Sequence, residues 1–149
     1  MKTEKHVLFS IGSQMFAMSV ADVTDVLHNP VSTRIPLAAS EIVGVLNMRG
    51  YIVTVLDMRV RLNIQDDKPK PDIDTPMCIV VVFRGTRYGF MVDYVHDVVD
   101  LSASLAAPVP PSLDPSVRAM AVGVYQHQKH LVLALDITKV VGISETLAA

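Results

Sequence analysis

An all-β fold of two small five-stranded barrels, related by internal duplication and carrying a few short helices, is predicted by three observations. Val, Ile, Phe and Tyr dominate short apolar runs bounded by turn formers such as Gly12-Ser13-Gln14 and Arg84-Gly85-Thr86, the composition and length of strands rather than helices. No helical period persists beyond about two turns. Two long stretches also recur within the chain, the mark of a repeated structural unit.

The first recurrence pairs VLFSIGSQMFAMSVADVTDV (7–26) with IVVVFRGTRYGFMVDYVHDV (79–98) at an offset of 72, so that Phe16 meets Tyr88, Val23 meets Val95 and Asp25 meets Asp97. The second pairs VGVLNMRGYIVTVLD (43–57) with VGVYQHQKHLVLALD (122–136) at an offset of 79, matching Gly44 to Gly123 and Asp57 to Asp136. Copy one therefore spans about residues 6–68 and copy two about 77–143, with five strands expected in each. Short helices are expected around 38–43, 57–62 and 136–141. A unit of about 70 residues is marginal alone, so the two copies should pack on each other or exchange strands. The stretch QDDKPKPDIDTP (65–76) has the charge and proline of an exposed connection, since proline cannot donate to a central strand. SASLAAPVPPSLDPSV (102–117) reads as a stiff surface loop, with a polyproline ligand as the rarer alternative.

Composition narrows function by exclusion. A net charge of −2, from 13 basic and 15 acidic residues scattered in ones and twos, produces no field that would attract nucleic acid or an anionic membrane. The single cysteine, Cys78, lies in an apolar run and reads as a buried thiol, not as a nucleophile or ligand. The N-terminal segment is not read as a secretory signal, because Gly12-Ser13-Gln14 interrupts its apolar stretch and the same segment recurs internally. No apolar run reaches the roughly 18 residues of a membrane span, so no direct membrane insertion is expected.

Residues held in both copies most simply serve the fold. Asp57 and Asp136 close a strand and open a helical turn, where a carboxylate caps free backbone N–H groups; a catalytic carboxylate pair is the weaker reading. His127 and His130 flank a hairpin turn with no third metal ligand nearby in sequence. No phosphate-binding loop, nucleophile elbow or zinc-protease motif occurs, so neither an enzyme nor a cofactor is expected. What differs between the copies is one hairpin turn, Asn47-Met48-Arg49-Gly50 against Gln126-His127-Gln128-Lys129. Gly50 can adopt positive φ, which would present Arg49 and Met48 outward, and these are residue types suited to adaptable interfaces.

Over about residues 6–143 the chain resembles the CheW family, the adaptors of bacterial chemoreceptor arrays. The carriers are FSIGSQMFAMSVADVTDV, STRIP at 32–36, IVGVLNMRGYIVTVLDMRVRL at 42–62 and YGFMVDYVHDVVDL at 88–101. The most specific piece is the asparagine-apolar-arginine-glycine turn followed by Asp57-Met58-Arg59. The resemblance implies two barrels that can intertwine, so that the structural boundary departs from the repeat boundary. It also implies a non-catalytic scaffold in the cytoplasm, recruited to membrane-associated receptor arrays, where it links the cytoplasmic tip of chemoreceptors to the regulatory domain of a CheA-type histidine kinase. Its receptor contacts would fall on Val23, Asp25, Asn47, Arg49 and Gly50, and Gly44 corresponds to a kinase-contact position. One departure is LAASEIVG, where relatives commonly place a proline and an aromatic residue before the glycine. A ligand-binding or regulatory β-barrel protein outside chemotaxis is the alternative, and it would require a pocket with converging polar groups.

Overall fold

The computed structural model describes residues 3–28, 30, 32–36, 38–64, 76–102 and 107–148; the expected connection at 65–76 lies almost wholly outside them. Copy one supplies β1 (Thr3–Ile11), β2 (Gln14–Ser19), β3 (Val23–His28), β4 (Ile42–Met48), β5 (Tyr51–Asp57) and the single-turn helix α1 (Met58–Arg61). Copy two supplies β6 (Met77–Phe83), β7 (Thr86–Val92), β8 (Tyr94–Ser102), α2 (Pro115–Met120), β9 (Ala121–His127), β10 (His130–Leu135) and α3 (Ile137–Ala148). A 3₁₀ turn at Val20–Asp22 joins β2 to β3.

The strands form two five-stranded sheets, ordered β8-β1-β2-β10-β9 and β3-β6-β7-β5-β4. Replacing each strand by its repeat equivalent turns one order into the other. Each sheet therefore takes its first hairpin from one copy and its last three strands from the other, and the strand exchange anticipated from the marginal size of one unit is present.

Alternation along the strands explains how both faces are buried. Phe9, Ile11 and Phe16 of one sheet join Ile79, Val81 and Phe90 of the other in a large core between the sheets. The opposite face of the second sheet holds its own small cluster, in which Leu46, Val53, Val55, Cys78 and Val80 meet Leu27 and Met48. Leu27 and Leu46 come from the two edge strands, so the sheet curls around this cluster. The first sheet repeats the arrangement with Leu8, Ala17, Leu101 and Val132.

Cys78 is fully buried, and burial pushes its thiol pKa up to about 12, as expected of an inert core cysteine. The expected helix at 38–43 is absent. Ile42 donates its N–H to the Ala39 carbonyl in a turn, and a Thr33–Val45 bridge commits the following residues to β4. Conversely, α2 occupies the end of the stretch read as a loop. Asp114 caps it by accepting from Ser116 N–H, with Pro115 at the first helical position, where its missing donor costs nothing.

Candidate functional site

The two unlike turns share one backbone shape. Arg49 and Gly50 have φ of 52° and 85°, while Gln128 and Lys129 have 46° and 68°. Both are the two-residue type I′ turn that matches the twist of an antiparallel pair. Duplication thus preserved the hairpin and changed what it carries.

In copy one the turn is pinned by Asn47, whose side-chain oxygen accepts from Gly50 N–H at 3.0 Å. Arg49 projects from the tip with 77% of its side chain exposed, and its Nη2 donates to Asp25 Oδ1 at 3.4 Å. Asp25 lies on β3, at the far edge of the same curled sheet. Asp25, Asn47, Arg49 and Gly50 are therefore brought together at one end of the second sheet. Met48 is not lifted outward with Arg49; it packs against the sheet's inner cluster. Val23 sits at the start of β3 against the main core.

Gly44 is placed apart, five residues up β4 and so roughly 16 Å from Arg49. It is buried under the segment that crosses β4, and a Cβ there would stand 2.3 Å from the Thr33 carbonyl oxygen. The equivalent strand β9 is bridged by Ala107 to Val124 in the same way, which covers a sheet edge in each copy.

Sequence reasoning missed the neighbours of this turn. The Arg87 guanidinium lies over the Tyr51 ring, 3.5 Å from its centroid, while Tyr51 and Ile52 are among the most exposed large apolar residues. The available signal was the difference between copies, since Met15 and His130 occupy the places of Arg87 and Tyr51. A separate clamp joins the sheets: Arg59 Nε donates to Asp93 Oδ1 at 3.1 Å, and Asp93 Oδ2 accepts from Gly12 N–H at 2.7 Å.

Asp57 accepts from Arg59 N–H at 3.0 Å and Asp136 from Thr138 N–H at 2.9 Å; both are helix caps, as read. His127 and His130 are cross-strand partners closing the β9–β10 hairpin. Among the described residues no group of three His, Cys, Asp or Glu side chains could hold a metal ion.

A β domain built by duplication with strand exchange, bearing unlike side chains on equivalent hairpin tips, defines the class. Residues 5–145 match the CheW-like domain family, and the chain belongs to that family. The chain is 27% identical to the chemotaxis protein CheW of Bacillus subtilis (strain 168), covering 98% of this chain and 92% of that one. It is 26% identical to the chemotaxis protein CheW of Klebsiella aerogenes, over 95% of this chain and 84% of that one. The crystal structure of the scaffolding protein TtCheW from Thermoanaerobacter tengcongensis superposes with a TM-score of 0.79 at 26% identity, covering 92% of this chain and 86% of the other.

Proposed function

We propose that the protein is a non-enzymatic adaptor in chemosensory signalling, coupling the cytoplasmic tip of chemoreceptors to the regulatory domain of a CheA-type histidine kinase. It would act in the cytoplasm, at membrane-associated receptor arrays. Membership of a family whose members include a named scaffolding protein supports this reading. Among the described residues no helix is long and apolar enough to cross a membrane.

The observation that carries the proposal is the asymmetry of the two turns. An adaptor must present distinguishable faces, and here one backbone shape carries Arg49 in one copy and Gln128 in the other. Val23, Asp25, Asn47, Met48, Arg49 and Gly50 form the proposed partner-binding end. Because Gly44 is buried, its proposed role in kinase contact would pass through the shape of the 32–36 segment above it.

The test compares Arg49→Ala with Gln128→Ala by calorimetric titration against a receptor cytoplasmic fragment and the kinase regulatory domain. An exposed ion pair contributes only about 0–1 kcal/mol to folding, so melting should barely change. Loss of an interface arginine costs roughly 1–4 kcal/mol of binding, so Arg49→Ala should weaken affinity at least about tenfold. Gln128→Ala should do much less. Equal effects of the two substitutions, or unfolding by Arg49→Ala, would make the turn structural. Failure of wild-type protein to bind either partner would remove the adaptor reading itself.

A further inference from the structure

The repeat gives the Arg49 end a counterpart on the first sheet, and the two ends differ in what fills them. On the second sheet Asp25 is paired with Arg49, and the Tyr51 ring is covered by Arg87. On the first sheet the matching acceptors are Asp97 and His130, but Gln128 replaces the turn arginine and Met15 replaces the stacking one. The register confirms the correspondence, since Arg87 pairs with Val53 and Met15 with the equivalent Val132.

Where both arginines are missing there is a cleft of about 710 Å³, lined among others by Ser10, Met15, Asp97, His127, Gln128 and His130. Its floor is fixed, because Ser10 is buried and its hydroxyl is hydrogen-bonded to His96 Nε2 at 3.1 Å. Asp97 is exposed at the cleft. The carboxylate and the planar ring that engage arginines within the chain at one end thus face open volume at the other.

We propose that this cleft receives an arginine side chain carried on a loop of a partner protein, paired with Asp97 and stacked on the His130 ring. A guanidinium suits both acceptors at once, because it stacks through its face and donates through its edge. A lysine ammonium has no planar face to stack while it donates. The occupant proposed is an arginine of a different protein; the hairpin-tip arginine of a second copy would first have to leave its own Asp25. The inference does not depend on the adaptor reading, whose proposed contacts lie around Arg49 on the second sheet.

The test is a backbone-amide NMR titration of the full chain with Nα-acetyl-arginine methylamide, using the citrulline analogue as the uncharged isostere. Saturable shifts are expected at Ser10, Asp97, Gln128 and His130, with citrulline at least about tenfold weaker. Asp97→Asn, at an exposed strand position, should abolish them. Gln128→Arg should restore the copy-one arrangement, fill the site from within the chain and suppress binding of the probe. Equal shifts from citrulline, or shifts that persist in Asp97→Asn, would overturn the proposal. Tighter binding of free L-arginine than of the blocked form would assign the cleft to a small metabolite instead and overturn it. So would self-association, measured by sedimentation, that Asp97→Asn abolishes, because the occupant would then be a second copy.

Discussion

Gly44 has no side chain because there is no room for one. Its missing Cβ would lie 2.3 Å from the Thr33 carbonyl oxygen and 2.8 Å from the Thr33 carbonyl carbon, and backbone cannot swing aside as a side-chain tip can. Gly44→Ala must displace the 32–36 segment at about 2 kcal/mol, lowering Tm by roughly 4–8 °C in thermal denaturation; an unchanged Tm would mean that this segment is not held in place. Asp22 presents an opposite case, in which the side chain is present and unfavourable. Burial, with Asp136 and Glu4 nearby, raises its carboxyl pKa above the ordinary value. The folded state then binds this proton better than the unfolded chain, so stability contributed here falls as pH rises through the carboxylate range. Asp22→Asn should accordingly raise Tm at pH 7 and lose that advantage below about pH 4; a pH-independent effect would place its cause elsewhere. That Arg49 and Asp25 share one surface was legible only through the family resemblance, which implies receptor contacts for both. The Arg87–Tyr51 stack was not, since only sheet pairing brings together residues that lie in different copies.

Elements were legible where local chemistry alone decides them. The two hairpins that recur at an offset of 79 end in aspartates, and each caps the helix that follows. Asp57→Ala and Asp136→Ala should each cost about 0.5–2 kcal/mol, measured by denaturant unfolding; no loss in either would return those carboxylates to the list of functional candidates. The same rule was available for α2, where Asp114-Pro115 is a cap followed by a proline at the first helical position, but the surrounding prolines masked it. The failure at 38–43 is of another kind. Alanines and a short apolar stretch permit a helix there, yet the bridge from Thr33 to Val45 rewards extended backbone, and that bridge is a tertiary contact that no local pattern reveals.

At the scale of the whole molecule, the repeat makes the copies equivalent without saying which strands join which sheet. Chain length between strands decides it. If β8 stayed with its own copy it would lie beyond β6, two strand spacings or roughly 10 Å from β7. Only Asp93 separates Val92 from Tyr94, and two Cα steps reach at most about 7 Å. The 3₁₀ turn at Val20–Asp22 limits β3 in the same way, because each of its residues advances only about 2 Å. Both third strands must therefore cross to the other sheet, and boundaries read from sequence were not sharp enough to show that a single residue makes the link. The Arg59–Asp93 pair and the Asp93–Gly12 bond then hold the crossing in place. A cut in the 65–75 connection should consequently separate two fragments that cannot fold alone. Copy one would lack β6 and β7, which lie between β3 and β5, and its β1–β2 hairpin would lose its neighbours on both sides. Isolated hairpins are marginal in water. Each fragment should show no cooperative melt by circular dichroism, and an equimolar mixture should recover strand signal and a single transition. A fragment that melts cooperatively on its own would show that each copy can close its own sheet, and the length argument for strand exchange would fail.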